Sequence, residues 1–135
     1  MSTKFNLKVV TPYRNFYEGE VEKIVVQGAE GEMAVLADHI PMVTPLAIGK
    51  LVIINDDKKE PATLAGGFMQ IADGKVVIVA EAAEWPHEID VKRAEDAKNR
   101  AEGRLKDGGE ETDSKRANES LKKARVRLDV AEEKK

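Results

Sequence analysis

The sequence predicts a mixed fold, β then α: an N-terminal antiparallel β-sandwich or flattened barrel, followed by a C-terminal antiparallel hairpin of two helices. Three observations predict it. Short apolar runs separated by turn signals fill the first eighty-odd residues. A Trp85-Pro86 step then breaks the pattern. From Asp90 to Lys135 there is no proline, and 26 of 46 residues are charged, 14 basic and 12 acidic, whereas residues 1–88 hold 8 Lys and Arg against 13 Asp and Glu. The expected organisation is a sandwich over residues 1–84, a linker over 85–89 and a hairpin over 90–135.

At 135 residues the chain has room for one small core and an appendage. Its longest apolar runs, such as Val76-Val77-Ile78-Val79-Ala80, fall far short of the roughly 20 residues that span a bilayer. No basic stretch followed by an apolar one opens the chain, and it contains no cysteine, so cytosolic residence is the default expectation. A net charge of -3 with three Phe, two Tyr and one Trp argues against nucleic-acid binding, which needs a basic field and stacking aromatics.

Phe5-Asn6-Leu7-Lys8-Val9 alternates apolar and polar residues, the period of a half-buried strand, and Thr11-Pro12 ends it. Further strand-like runs are Val21 to Gln27, Glu32 to Leu36, Lys50 to Asn55, Ala62 to Leu64, Phe68 to Ile71 and Lys75 to Ala80. Turn signals separate them: Gly28-Ala29-Glu30-Gly31, Asn55-Asp56-Asp57-Lys58 and the hairpin dipeptide Asp73-Gly74. Many short strands at this spacing specify a sandwich or barrel.

Three features in this half resemble chemistry without carrying it. Asp38-His39 has no Ser or Cys nucleophile signature beside it and suits a turn. Ala65-Gly66-Gly67-Phe68 lacks the Gly-Lys-[Ser/Thr] that completes a phosphate-binding loop, so close backbone approach or a bulge is expected. Two scattered histidines cannot supply a zinc site.

In the second half Trp85-Pro86 disfavours helix at Trp85, and Asp90 suits the N-cap of a helix. Ala94, Ala97, Ala101 and Leu105 then form one helical face, and Gly108-Gly109 ends it. A second helix is expected from an N-cap at Asp113, with Ala117, Leu121, Ala124, Leu128 and Ala131 on its apolar face. These stripes are mostly alanine, so at about 25 cal/mol per Å² they bury little stabilising area. Gly103 removes roughly 1 kcal/mol more.

The positive charges of the hairpin are ordered. Arg93, Arg100 and Arg104 form one stripe about 90° from the apolar face of the first helix; Arg116, Lys123 and Arg127 form another, about 100° to the same side on the second. Two antiparallel helices facing each other are related by a two-fold axis that preserves the flank, so both stripes line one side. Such a face is either solvated, with Asp96 and Glu119 offsetting the repulsion, or a polyanion site in which arginine forks grip phosphate oxygens.

Gly31-Glu32-Met33-Ala34-Val35-Leu36-Ala37-Asp38-His39-Ile40-Pro41-Met42-Val43-Thr44-Pro45-Leu46, Gly66 to Ile71 and Val76 to Glu84 closely resemble the epsilon subunit of bacterial F-type ATP synthases. The resemblance runs from Val9-Val10-Thr11-Pro12 to the final helix. It implies a sandwich of about ten strands followed by two helices. It also implies a non-catalytic place in the rotor against the gamma subunit and the c-ring, at the cytoplasmic face of the cell membrane and without membrane insertion. Ile89-Asp90-Val91-Lys92-Arg93-Ala94 matches the Ile/Leu-Asp-x-x-Arg-Ala motif of ATP-binding epsilon subunits. By that likeness Glu84 and the segment containing Ile89, Asp90, Arg93 and Ala94 hold the adenosine end of ATP, while Arg93, Arg100, Arg116 and Arg127 face the phosphates. Lys123 stands where such relatives carry arginine, which keeps a charge and loses the two-pronged grip. ATP, with or without Mg2+, is then an effector rather than a substrate. The hairpin is then expected to switch between a folded, ATP-stabilised form and an extended form that reaches the catalytic alpha/beta head. The alternatives are an adaptor whose hairpin docks permanently without nucleotide, and a small nucleotide-hydrolysing enzyme.

Overall fold

The computed structural model describes residues 3–107 and 111–133. They form two compact units, one ending at Glu84 and one starting at Trp85.

The first unit is an eight-stranded sheet. Its strands are β1 (Phe5–Val10), β2 (Asn15–Val21), β3 (Lys23–Gly28), β4 (Gly31–Leu36), β5 (Met42–Asn55), β6 (Lys58–Ala72), β7 (Lys75–Ala80) and β8 (Ala83–Glu84). Hydrogen bonding orders them β2-β1-β7-β6-β5-β3-β4, with β8 added to β6. All pairings are antiparallel except β1 with β7. β2 nevertheless lies against β5, four places along that order. The sheet therefore folds over on itself and encloses a core between two layers. Alternation decides which side chains enter it. Val9, Ile78 and Met69 form one cross-strand row and Leu7, Val76 and Ile71 the next, all 5% exposed or less. From the other layer Ile24, Val35 and Ile53 form a third buried row.

The count of eight corrects the expectation of about ten. Ala62 to Leu64 and Phe68 to Ile71 belong to one strand, because Gly66 and Gly67 take up φ values of 90° and 136°. The bend is absorbed without loss of register, since Leu46↔Gly67 and Ile48↔Ala65 continue the same ladder. The expected close approach is present at Gly67, where a Cβ would lie 2.0 Å from the Val79 carbonyl oxygen. Lys50 to Asn55 is likewise only the second half of β5. The expected run Val21 to Gln27 divides, with Val21 closing β2 and β3 starting at Lys23.

Three stretches of strand had no counterpart among the expected runs: β2, the first half of β5 and the two-residue β8. β2 contains Glu18-Gly19-Glu20, a poor strand sequence; it forms an edge paired only with β1, where polar outward residues cost nothing. The first half of β5 contains Pro45. Its β3 ladder begins only at Leu46 opposite Gly28, so the missing amide of Pro45 leaves no gap on that side. The expected turns are in place. Asp73 and Gly74 have φ values of 49° and 73° between the paired Ala72 and Lys75, as a two-residue hairpin requires. At Asp38-His39 the His39 amide donates to the Leu36 carbonyl at 3.1 Å.

The second unit begins with a short 3-10 turn, Pro86–Glu88, followed by α1 (Val91–Asp107) and α2 (Glu111–Glu133). Trp85 is extended, with φ -79° and ψ 157°, as the following proline demands. Glu88 Oε1 accepts from the Trp85 amide at 2.9 Å, which closes the turn. α2 starts at Glu111, so Asp113, expected as its N-cap, lies inside the helix instead. Glu111 and Thr112 contain no breaker to delay the start. The expected stop at Gly108-Gly109 lies outside the described residues.

Candidate functional site: the cationic flank of the hairpin

The start of α1 fixes how the candidate residues are presented. Asp90 Oδ1 accepts from the Arg93 amide at 3.1 Å, and the Asp90 carbonyl accepts from the Ala94 amide at 3.0 Å. Asp90 is thus the N-cap, and its carboxylate is committed to the first turn. The cap sets the phase of the helix, so that Ala94 is buried at 2% exposure and Ile89 at 9% while Arg93 is exposed.

The two helices are joined along a seam of small side chains. Ala94 and Ala101 of α1 and Ala117, Leu121 and Ala124 of α2 are all buried. An open groove on one flank of this seam brings Val91, Glu95 and Lys98 of α1 beside Arg125, Leu128, Asp129 and Glu132 of α2. The beginning of α1 therefore lies beside the end of α2, the antiparallel arrangement, and these residues mark one flank for both helices. Arg93, Arg100 and Arg104 lie on the opposite flank of α1, and Arg116, Lys123 and Arg127 on the opposite flank of α2, by the 100° step of the helix. The six cations thus share the other side of the hairpin. Arg93, Arg100, Arg104 and Arg116 are exposed, whereas Lys123 and Arg127 are half-buried.

Glu84 is placed separately, in β8 of the sandwich, opposite Thr63 of β6 and half-buried. Sequence reading missed Val130. It sits three residues beyond Arg127 on the cationic side of α2, yet is fully buried at 0% exposure, and the 3-10 turn lies against α2. The signal was Val126 with Val130, a β-branched i, i+4 pair outside the alanine stripe. Among the described residues no group of three or more His, Cys, Asp or Glu side chains converges as a metal site. Among the described residues no helix is long and apolar enough to cross a membrane.

An eight-stranded sandwich followed by a two-helix hairpin defines a class, and comparison with known proteins gives the family. The family model for the β-sandwich domain of the ATP synthase delta/epsilon chain matches residues 4–86. The model for the long α-helix domain of the same chain matches residues 87–132. The ATP synthase epsilon chain of Alkaliphilus metalliredigens is 51% identical over 134 residues, covering 99% of this chain and 100% of that one. The sodium-ion-specific ATP synthase epsilon chain of Acetobacterium woodii is 44% identical over 108 residues, 79% of this chain and 81% of the relative. Among solved structures, a chain in the cryo-EM structure of the Euglena gracilis mitochondrial ATP synthase (OSCP/F1/c-ring, rotational state 1) matches with a TM-score of 0.83 and 26% identity. That match covers 97% of this chain and 82% of the other.

The protein belongs to the epsilon-chain family of F-type ATP synthases, and it is a non-catalytic subunit.

The cap and the interior glycine make the hairpin's stability adjustable in both directions. Asp90→Ala is expected to cost about 1 kcal/mol. Gly103→Ala, at a position where an added Cβ meets nothing within 4 Å beyond its own helix backbone, is expected to add about 1 kcal/mol. Thermal melts followed by far-UV circular dichroism check both; a stabilised Asp90→Ala or a destabilised Gly103→Ala contradicts this account of α1.

Proposed function

We propose that this subunit couples the rotor stalk to the c-ring through its sandwich and regulates ATP hydrolysis through a hairpin that binds ATP. The observation that carries the regulatory half is the gathering of Arg93, Arg100, Arg104, Arg116, Lys123 and Arg127 on one flank of an antiparallel pair. Like charges brought together on a helix pair repel, and an intervening polyanion turns that cost into charge-assisted hydrogen bonds. A triphosphate suits arginine forks. In this reading Asp90 acts as a structural cap that orients Arg93, and Ile89 and Ala94 contribute apolar surface beside it. Glu84, which the family likeness assigns to the adenosine end, is proposed as a further ligand residue. A Mg2+ ion, where it takes part, arrives with the nucleotide. Because ATP prefers one hairpin state, it shifts the population by the difference in affinity between states. In the extended state the same cations face the catalytic alpha/beta head.

The coupling half is supported by an apolar sheet face. Pro45, Phe68, Val79 and Val10 occupy directly paired positions across β5, β6, β7 and β1. Phe68 is 60% exposed, Val79 51% and the neighbouring Val43 69%. A contiguous exposed patch of this kind marks a docking surface, and the gamma subunit and c-ring are the partners proposed for this unit. The subunit then works as a peripheral part of the ATP synthase at the cytoplasmic face of the cell membrane, in ATP synthesis and ion transport.

Calorimetric titration with ATP tests the regulatory half. Saturable binding is expected, weakened about tenfold or more by Arg93→Ala and by Arg127→Ala, each of which removes roughly 1.5–3 kcal/mol of charge-assisted bonding. Lys98→Ala, on the opposite flank, leaves it unchanged. Absence of binding favours a permanently docked adaptor, and equal affinities across the three variants remove this site. For the coupling half, Phe68→Glu is expected to abolish co-purification with gamma while leaving the fold intact; undiminished assembly refutes the assignment of that face.

A further inference from the structure

The sandwich ends in very little strand. β8 consists of Ala83 and Glu84 alone, paired with Leu64 and Thr63 of β6. The Ala65 amide donates to the Ala82 carbonyl at 3.0 Å, so the alternation of an antiparallel ladder turns the Ala83 carbonyl away from β6. On that far side β1 has already ended, at Val10 opposite Val79. Ala83 is only 6% exposed, and without another donor its carbonyl would be a buried acceptor left unmet.

Arg14 supplies the donor. Its Nη2 donates to the Ala83 carbonyl at 3.0 Å, across 69 positions of sequence. The guanidinium lies 4.9 Å from the centroid of the Phe16 ring, and Phe16 is itself 7% exposed. The backbone around Arg14 is also fixed. Thr11 Oγ1 accepts from the amides of Tyr13 and Arg14 at 3.2 Å each, and the Thr11 amide donates to the Arg14 carbonyl at 2.9 Å. A planar cation stacked on a core ring and carried on a closed turn is pre-organised for one acceptor.

We propose that Arg14 is the pin of the hinge, a positioning residue that takes the place of the missing strand beside β8. It confines displacement of the hairpin to the segment starting at Trp85-Pro86 and holds Glu84 at a fixed point on the sandwich. The first part stands on the sandwich alone; the consequence for nucleotide binding rests on the ATP reading above.

Amide hydrogen exchange of the full chain without nucleotide, for the wild type, Arg14→Ala and Arg14→Lys, tests the pin. Arg14→Ala is expected to speed exchange about tenfold from Ala82 to Trp85 while leaving the core of β5 and β6 unchanged. Arg14→Lys, which keeps a donor, restores part of the protection. Unaltered exchange from Ala82 to Trp85, or acceleration spread through the whole sandwich, overturns the proposal. ATP titration of the same proteins separates the two readings. Arg14→Ala should weaken ATP binding several-fold at an unchanged unfolding temperature of the sandwich. Equal affinity for the wild type and Arg14→Ala overturns the link to nucleotide. Local acceleration in a protein whose wild type binds no ATP supports the pin and removes the nucleotide reading instead.

Discussion

The alanine seam between α1 and α2 is the constraint on which the behaviour of the hairpin depends. Ala94, Ala101, Ala117 and Ala124 are each 2% exposed or less, so the contact is tight even though each residue contributes little apolar area. Small residues in the seam let the helix axes come close, and the long cationic side chains are left to the flanks. A seam of leucines would hold the hairpin more firmly but set the two arginine stripes further apart. Marginal stability and convergence of charge thus have one cause, which suits the movable arm proposed above.

The sandwich answers to a different rule. Its two long strands, β5 and β6, run through both layers, and the bends fall where glycine allows them. At Gly67 the Val79 carbonyl comes so close that no side chain fits. At Gly49 a Cβ would lie 2.5 Å from the Cβ of Gln27, at the place where the β3–β5 register shifts between Val25 and Gly28. The same alternation that fills the core with Leu7, Val9, Met69 and Ile78 leaves Phe68 and Val79 outside. Burying one face of a sheet this apolar exposes a second apolar face that needs a partner.

Much of this was legible in the sequence because local chemistry and global position agree. The alternation of Phe5 to Val9, the hairpin at Asp73-Gly74, the break at Trp85-Pro86 and the cap at Asp90 each follow from a residue's own conformational preference. What escaped depended on neighbours. β2 is a strand because β1 pairs with it, and the start of β5 tolerates Pro45 because β3 has not yet begun to pair. Val130 is buried by contacts that helical periodicity cannot reveal. Arg14 is the sharpest case, since its acceptor lies 69 positions away and nothing in Tyr13-Arg14-Asn15 marks it. Of the candidate site, the phase of both arginine stripes could be counted along the sequence; the half-burial of Lys123 and Arg127 could not.

One flank of the hairpin is proposed to gather its guanidinium groups around a triphosphate. Nitrogen-15 spectra of the arginine side chains during ATP titration of the full chain test it most directly. The Nε signals of Arg93, Arg100, Arg116 and Arg127 are expected to shift together along a single binding curve, while that of Arg125, on the opposite flank, stays in place. Movement of Arg125 with Arg93 and Arg127 unmoved would contradict it.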